Sequence, residues 1–441
     1  MKNTLPGFQL ISPLKKLKEG MWKNDEDWIN SIRNKGESDF SATGLPGTDE
    51  EEWKYTDLST VLKYNYNSPE ENTSPYIISD DVKKIIPEKL SPFYLIFLNG
   101  NFSPELSTSS KKPDGIRFES IREELNRENN ELKKFLETYS PEGRKNSIAA
   151  LNSAYLNDGA FIKIERSVTQ PLPLHLIYIN TNIKEATINS PRNIIIAEEN
   201  SSVSVIEEYI GVKNSKYFTN SRTEILLKKG SSLDHYKIQQ ESKISFHIGT
   251  IEVHQSKNSS FTSQTISFGS KISRNNIFSS MEGEKSESLL EGIYFVNEDQ
   301  HIDNHTTVYH KDPSCKSIEN FHGILDHEAR AVFDGKIYVA KGAIGTDSVQ
   351  SNRSLLLSDK ATVDSKPTLE IYADDVKCAH SAAVGQLDEE SVYYLRSRGI
   401  GDKDAKKILT TGFAKEITDK FKLKGVASKV EKILQRELIG S

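Results

Sequence analysis

The sequence predicts a mainly β chain, with a β-solenoid core between an N-terminal and a C-terminal helical segment. Three observations carry this. Helical spacing of apolar residues occurs near both ends but disappears from about Ala149 to Val376. Within that stretch four polar corners recur, and their serines, Ser201, Ser231, Ser259 and Ser286, are 30, 28 and 27 residues apart. Each corner lies between short β-rich runs, with no helix intervening. A period of this length, built as strand–corner–strand, is what stacked coils produce, because a single coil cannot bury its apolar face alone. An antiparallel sandwich with evenly spaced hairpins would give a similar period and remains open on spacing alone.

Taken in order, residues 1–145 read as a mixed, largely helical segment. Trp22 to Ile32 is acidic and amphipathic. Ser79-Asp80-Asp81 offers caps for a short helix through Val82, Ile85 and Ile86, which Pro87 ends. Tyr94 to Leu98 followed by Asn99-Gly100 reads as a strand and a tight turn. Glu119 to Tyr139 reads as one helix on the spacing of Ile121, Leu125, Leu132, Phe135 and Leu136.

The core, residues 146–380, places a strand before each serine corner: Asn193–Ala197, Thr223–Leu227, Thr250–His254 and Asn275–Ser279. Ala331–Phe333, Lys336–Val339, Thr362–Val363 and Leu369–Tyr372 continue the alternation less regularly. In residues 381–441 helices return. Asp388 can cap Glu389 to Ser397, which Arg398-Gly399 ends. Asp402 can cap a second helix striped by Ala405, Ile408, Leu409, Phe413 and Ile417, and a basic amphipathic segment runs from Ala427 to Leu438. Such stripes usually pack within the chain. A helical pair appended to a solenoid has little core of its own, so partner docking is also expected here.

Composition narrows the function. Acidic residues number 63 and basic ones 57, a net charge of −6, which excludes a strong general attraction to nucleic acid. No apolar run approaches the ~18–20 residues needed to span a bilayer, so no membrane association is expected. The N-terminal stretch is broken by Pro6, Gly7 and Lys15 and does not read as a secretory signal. Two cysteines, Cys315 and Cys378, make no disulfide framework. A soluble cytoplasmic protein is expected. There is no phosphate-binding G-x-x-x-x-G-K-[ST] or G-x-G-x-x-G loop, no H-E-x-x-H, no G-x-S-x-G and no C-x-x-C pair.

Two clusters could carry chemistry. In a strand, His301, Asp303 and His305 share a face and could hold a divalent metal, although a polar, hydrogen-bonded solenoid face would look the same. Cys378 and His380 also share one side of an extended segment. A thiolate and an imidazole make half of an iron or zinc site, which a partner would have to complete, and a buried cysteine beside a solvated histidine is the alternative. Adjacent Asp374 and Asp375 face opposite ways and are read as structural.

The stretch KPTLEIYADDVKCAH from Lys366 to His380, with Val384-Gly385, Leu387-Asp388 and YLRSRGI from Tyr394 to Ile400, closely resembles the SufB/SufD family of iron–sulfur cluster assembly proteins. His310 to Ser317, His322 to Leu325, Arg330 to Gly335 and Glu52 to Thr56 are similar to the same family. The string ending in Cys378 and His380 is SufD-like rather than SufB-like. The resemblance implies a right-handed parallel β-helix between helical subdomains. It implies a non-catalytic scaffold that pairs with a SufB-like homologue through a β-helix edge and with a SufC-like ATPase through its C-terminal helical region. On this basis His380 is implicated in nascent cluster assembly at the pairing interface, with Cys378 beside it. Tyr394, Leu395, Arg396, Arg398, Gly399 and Ile400 are candidates for contact with the ATPase. No cofactor held tightly by the isolated chain is expected, only a nascent cluster shared with the homologue. Where the family usually has glycine after the histidine, this chain has Ser381. The rival readings are a carbohydrate-active β-helix enzyme, such as a polysaccharide lyase, and a homodimeric metal-binding scaffold.

Overall fold

The structure is a computed structural model describing residues 7–68, 85–108, 112–125, 127, 131–139, 146–181 and 185–440. The chain winds into a β-solenoid of about eight turns, with helices at both ends. Each full coil contributes one strand to each of two facing sheets. Sheet one climbs from Ala160–Ile164 to Thr362–Ile371, and sheet two from Phe93–Leu98 to Lys377–Gln386. Successive coils pair in parallel, for example Phe246–Gln255 on Ile272–Met281 and Lys316–Leu325 on Asp347–Leu356. That excludes the antiparallel sandwich.

The serine period has a local cause. At one corner of each coil a single residue adopts a left-handed backbone: Asn200, Gly230, Asn258, Lys285, Ser314, Gly345 and Asp375. The next residue turns inward and is buried, as at Ser201, Ser231, Ser259, Ser286, Cys315 and Thr346. At Ser201, Ser231, Ser259 and Thr346 the hydroxyl closes the turn on a carbonyl three residues back, at 2.7, 2.7, 2.6 and 2.8 Å. Cys315 and Thr346 thus continue a column that the serines alone trace only halfway. Asp374 and Asp375 lie in a corner between strands, with Asp375 left-handed, so the strand alternation expected of them does not apply.

The lumen mixes apolar layers with hydrogen-bonded polar ones. Leu227, Val253, Ile277, Val308, Phe321 and Phe333 belong to one continuous apolar core. Glu207, His235, Lys237, Glu241 and His247 lie buried deeper in the stack. His235 bonds Glu207 at 3.0 Å and Lys237 donates to Asn275 at 2.7 Å, which offsets their desolvation.

The helical ends cover opposite sheets. Helices Phe8–Ile11, Leu14–Glu19, Asp27–Thr43 and Ser147–Ala154 pack with Trp53 and Tyr66 over the early coils of sheet one. The predicted helix from Glu119 to Tyr139 is instead a strand, Ile116–Ser120, followed by helices Ile121–Leu125 and Glu131–Tyr139. Ser120 and Glu123 form a reciprocal capping box, with Ser120 N donating to Glu123 Oε2 (2.9 Å) and Glu123 N to Ser120 Oγ (3.2 Å), which fixes the helix start after Glu119. The helix predicted at Val82 lies largely outside the described residues. The strand Phe93–Leu98 turns through Asn99 and Gly100, both at positive φ, into Asn101–Phe102, as expected.

At the other end, Asp388 caps Glu389–Ser397 by accepting from Ser391 N. The second helix, Asp402–Thr418, is capped at Gly401 without a side chain, so Asp402 lies in its first turn rather than at its cap. Its stripe is also rotated from the expected one, because Ile408 is exposed while Ala405, Ala414 and Ile417 are buried. With Lys424–Gly440, this helix lays Ile417, Phe421, Val430 and Leu434 on Ile238, Ile266 and Ile293 of sheet two. At about 1.5–3 kcal/mol per large apolar side chain buried, this is firm intrachain packing. Lys429 adds an ion pair to buried Glu208. Among the described residues no helix is long and apolar enough to cross a membrane.

Candidate functional site

The solenoid is open at its late end. Among the described residues, Thr362–Ile371 pairs only with Arg330–Val339, and Lys377–Gln386 only with Asp347–Leu356. Each therefore has one edge without a strand partner. The two edges differ. Thr362–Ile371 carries Asp364, Lys366, Pro367 and Glu370, and a proline cannot donate to a ladder. Lys377–Gln386 has no charged residue after Lys377 and is almost wholly exposed.

Cys378 and His380 lie on this second strand, in register with Ser348 and Gln350. Ser348 and Gln350 are buried within the lumen, so alternation turns Cys378 and His380 the same way, onto the mouth of the last coil. Cys378 packs partly against the cluster of Ile337, Val339 and Ala343, whereas His380 is exposed. Burial and the Asp347 carboxylate push the Cys378 thiol up, so the lone chain keeps it protonated at neutral pH. Ser381 lies within this strand opposite Ser351, in an extended backbone that needs no glycine.

His301, Asp303 and His305 are also brought together, but around a different task. The segment Glu51–Thr56 crosses the outer face of sheet one there. The Arg274 guanidinium stacks 3.8 Å over Trp53, donates to Glu52 O (2.6 Å) and pairs with Asp303 Oδ2 (2.9 Å). Thr56 bonds both Asp303 (2.5 Å) and His301 (2.9 Å), and His305 holds the other Asp303 oxygen at 2.8 Å. Burial alone would raise the Asp303 pKa, but the charges of His305 and Arg274, with bonds from His305 and Thr56, hold it well below the carboxylate range. Among the described residues no group of three His, Cys, Asp or Glu side chains is arranged to hold a metal ion. His301, Asp303 and His305 form the seat of the N-terminal strap.

The candidate ATPase-contact segment spans the end of Glu389–Ser397 and the turn after it. Tyr394, Arg396, Arg398 and Gly399 are exposed, and Leu395 and Ile400 half-buried. Arg398 lies 5.2 Å over the Tyr394 ring. Only Val392 of this helix is buried, and Tyr393, at 73% exposed, adds a second aromatic to the face. A cleft of about 600 Å³ lined by Leu356, Leu357, Val392, Tyr393, Arg396 and Lys406 separates the helix from the last coils. Sequence reasoning missed Tyr393, although its neighbour Tyr394 was marked. It also missed Glu319 and Gln350, which belong to no motif and come together beneath His380 only through coil register.

An open-ended, two-sheet β-helix flanked by helices, with a thiol and an imidazole at its mouth, is the class that fold and site define. Profiles of the SufBD N-terminal region and of the SUF-system FeS cluster assembly SufBD core domain match residues 9–176 and 178–413. The chain belongs to the SufBD family of SUF-system iron–sulfur cluster assembly proteins. It is 30% identical over 429 residues to an iron–sulfur cluster assembly SufBD family protein of Synechocystis sp., covering 94% of this chain and 93% of that protein. It is 29% identical over 396 residues to the iron–sulfur cluster assembly protein SufD of Escherichia coli, covering 88% of each. Against the SufD of Bacillus subtilis the figure is 24% over 422 residues, covering 93% of this chain and 94% of that one.

Proposed function

We propose that this chain is the SufD-type subunit of a cytoplasmic SUF complex, a non-catalytic scaffold on whose last coil a nascent iron–sulfur cluster is assembled. A SufB-like homologue joins it through the open edge of the solenoid, and a SufC-like ATPase docks on the C-terminal helical region near Tyr394 to Ile400. The isolated chain holds no cofactor tightly and could pair with itself through the same edge. Iron and sulfide are substrates that meet at the shared mouth, where His380 and Cys378 offer donors to one side. The one observation that carries this reading is that Cys378 and His380 lie together on a terminal strand whose far edge has no partner among the described residues. A protonated thiol and a solvated imidazole make an incomplete ligand set. The domain division 1–145, 146–380 and 381–441 belongs to the same proposal, although the last strand runs on to Gln386.

The test is His380→Ala in the co-expressed complex. We expect unchanged folding and ATPase binding with cluster assembly abolished. Full maturation of client proteins by the variant would refute the role of His380. Charge reversal at Arg396 and Arg398 should weaken capture of the ATPase without affecting assembly of the solenoid pair.

A further inference from the structure

Below His380 the lumen holds a polar file that the proposed function does not use. Register places His380 over Gln350, and Gln350 over Glu319, one coil each. Neighbouring strands lie about 4.8 Å apart, so consecutive side chains of this column stack on one another. Gln350 and Glu319 are both fully buried. Gln350 Nε2 donates to Glu319 Oε1 at 3.3 Å, which orients the carboxamide. Its other end, Oε1, has no hydrogen-bond partner among the described residues. An unpaired buried carbonyl is costly, so a donor brought to it would be held there.

Across the lumen, the carboxamide rests on Gly335. A methyl group added there would collide with Gln350 Nε2, so a glycine at 335 makes the room this side chain occupies. Donation of Nε2 to Glu319 leaves Oε1 turned away from Glu319 and without a donor among the described residues. Burial pushes the Glu319 carboxyl up to about 7, against smaller opposing effects from Thr306 and Gln350, so it carries much of its proton near neutrality.

We propose that Gln350, anchored by Glu319 and seated on Gly335, is the positioning residue for His380: its Oε1 accepts one imidazole N–H, fixing the tautomer and leaving the other ring nitrogen unprotonated at the open mouth. Histidines that bind metal ions usually donate their second N–H to a carbonyl or carboxylate for this reason. The functional meaning rests on the reading of His380 as a donor to the nascent cluster. The orientation itself does not, and it can be tested apart from that reading.

The experiment is nitrogen NMR of the full chain with 15N-labelled histidine, His380 being assigned by its loss in His380→Ala. In the unsubstituted protein one tautomer of His380 should exceed the other at least tenfold. Gln350→Leu should erase this bias. Gly335→Ala, which displaces the carboxamide while leaving Gln350 in place, should erase it too. Gln350→Glu, which keeps an acceptor, should preserve it. A mixed tautomer population in the unsubstituted chain, or an unchanged bias in Gln350→Leu, overturns the proposal. Should Gln350→Leu not fold, the unsubstituted spectrum and Gly335→Ala still decide. If His380→Ala proves harmless to cluster assembly while the tautomer bias holds, the functional reading fails and the positioning stands.

Discussion

The Cys315 thiol lies 3.2 Å from the Ser286 hydroxyl, the side chain at the same corner one coil earlier. It also lies 3.3 Å from Gly283 O and 3.7 Å from Pro313 O, and burial pushes its pKa up. This cysteine is a corner residue in a column of serines and threonine. Cys315→Ser should therefore cost less than about 1 kcal/mol and leave cluster assembly intact, because a serine there can close the turn as at the other corners. Cys315→Leu should destabilise by about 1–3 kcal/mol through overpacking. Denaturant melts of the two variants check this, and in the native chain a thiol reagent should modify Cys378 well before Cys315.

That column shows how much of the fold could be read from the sequence. The serine corners gave the coil period directly, because a left-handed residue followed by a buried hydroxyl is a local demand. The trace faded at Cys315 and Thr346, which meet the same demand with other side chains. Strand alternation was blurred for another reason. The strand Tyr217–Leu227 is buried on both faces, by the lumen within and the N-terminal helices without, so Asn220, Arg222 and Glu224 point outward yet are buried. The outer pair is matched by charge, Arg222 to Glu224 at 3.0 Å. Of the candidate site, Cys378 and His380 were legible as a pair. The strap on His301, Asp303 and His305 was not, because nothing in the spacing tells a metal from an arginine held by a distant tryptophan.

The strap should be a stability element. Trp53→Ala removes a buried indole and the stacking partner of Arg274, and should cost about 3–5 kcal/mol. Asp303 titrates below its unfolded value, so its contribution is complete above about pH 4 and lost as pH falls below that. Acid should therefore expose the segment Glu51–Thr56 to protease before the solenoid unfolds, and Asp303→Asn should abolish that acid step. Cleavage that follows global unfolding at every pH would overturn this.

The buried Glu319 gives a pH effect of opposite sign. Its folded pKa, about 7, exceeds the unfolded carboxylate value near 4.3. The unfolded chain loses this proton first, so the contribution of Glu319 to stability falls from about pH 4.3 to 7 and is level above that. Glu319→Gln keeps an acceptor for Gln350 and should stabilise the chain at pH 8 by on the order of 3 kcal/mol relative to pH 4, where the two proteins should differ little. His310, lowered to about 4 by burial, opposes this trend, since its contribution rises between pH 4 and about 6.5. The comparison must therefore be made between Glu319→Gln and the unsubstituted chain at each pH.

The C-terminal helices should be fixed to sheet two and not free to leave it for a partner. Lys429 pairs with buried Glu208, which His175 also holds at 3.0 Å. Lys429→Ala leaves a buried carboxylate half-compensated and should cost about 3–5 kcal/mol, whereas Lys429→Met with Glu208→Gln should recover most of that. Chemical denaturation with the variants in a double-mutant cycle measures the coupling. Losses that simply add, the double variant losing the sum of the two single variants, would mean that the pair does not anchor the helix.

The last strand bears on partner pairing. Val384 lies near its end, 49% exposed, on a strand whose far edge is unpaired among the described residues. Natural edges are protected by charges, and this one carries none beyond Lys377. Val384→Lys should change the stability of the lone chain by less than about 0.5 kcal/mol, because the side chain packs little there. In the complex the same lysine would face an incoming coil and have to be desolvated. Capture of the SufB-like homologue should then weaken tenfold or more, about 1.4 kcal/mol, while capture of the ATPase by the C-terminal helices is unchanged. If the homologue binds Val384→Lys as well as it binds the unsubstituted chain, pairing uses another surface, and Cys378 and His380 lose their claim to lie within it.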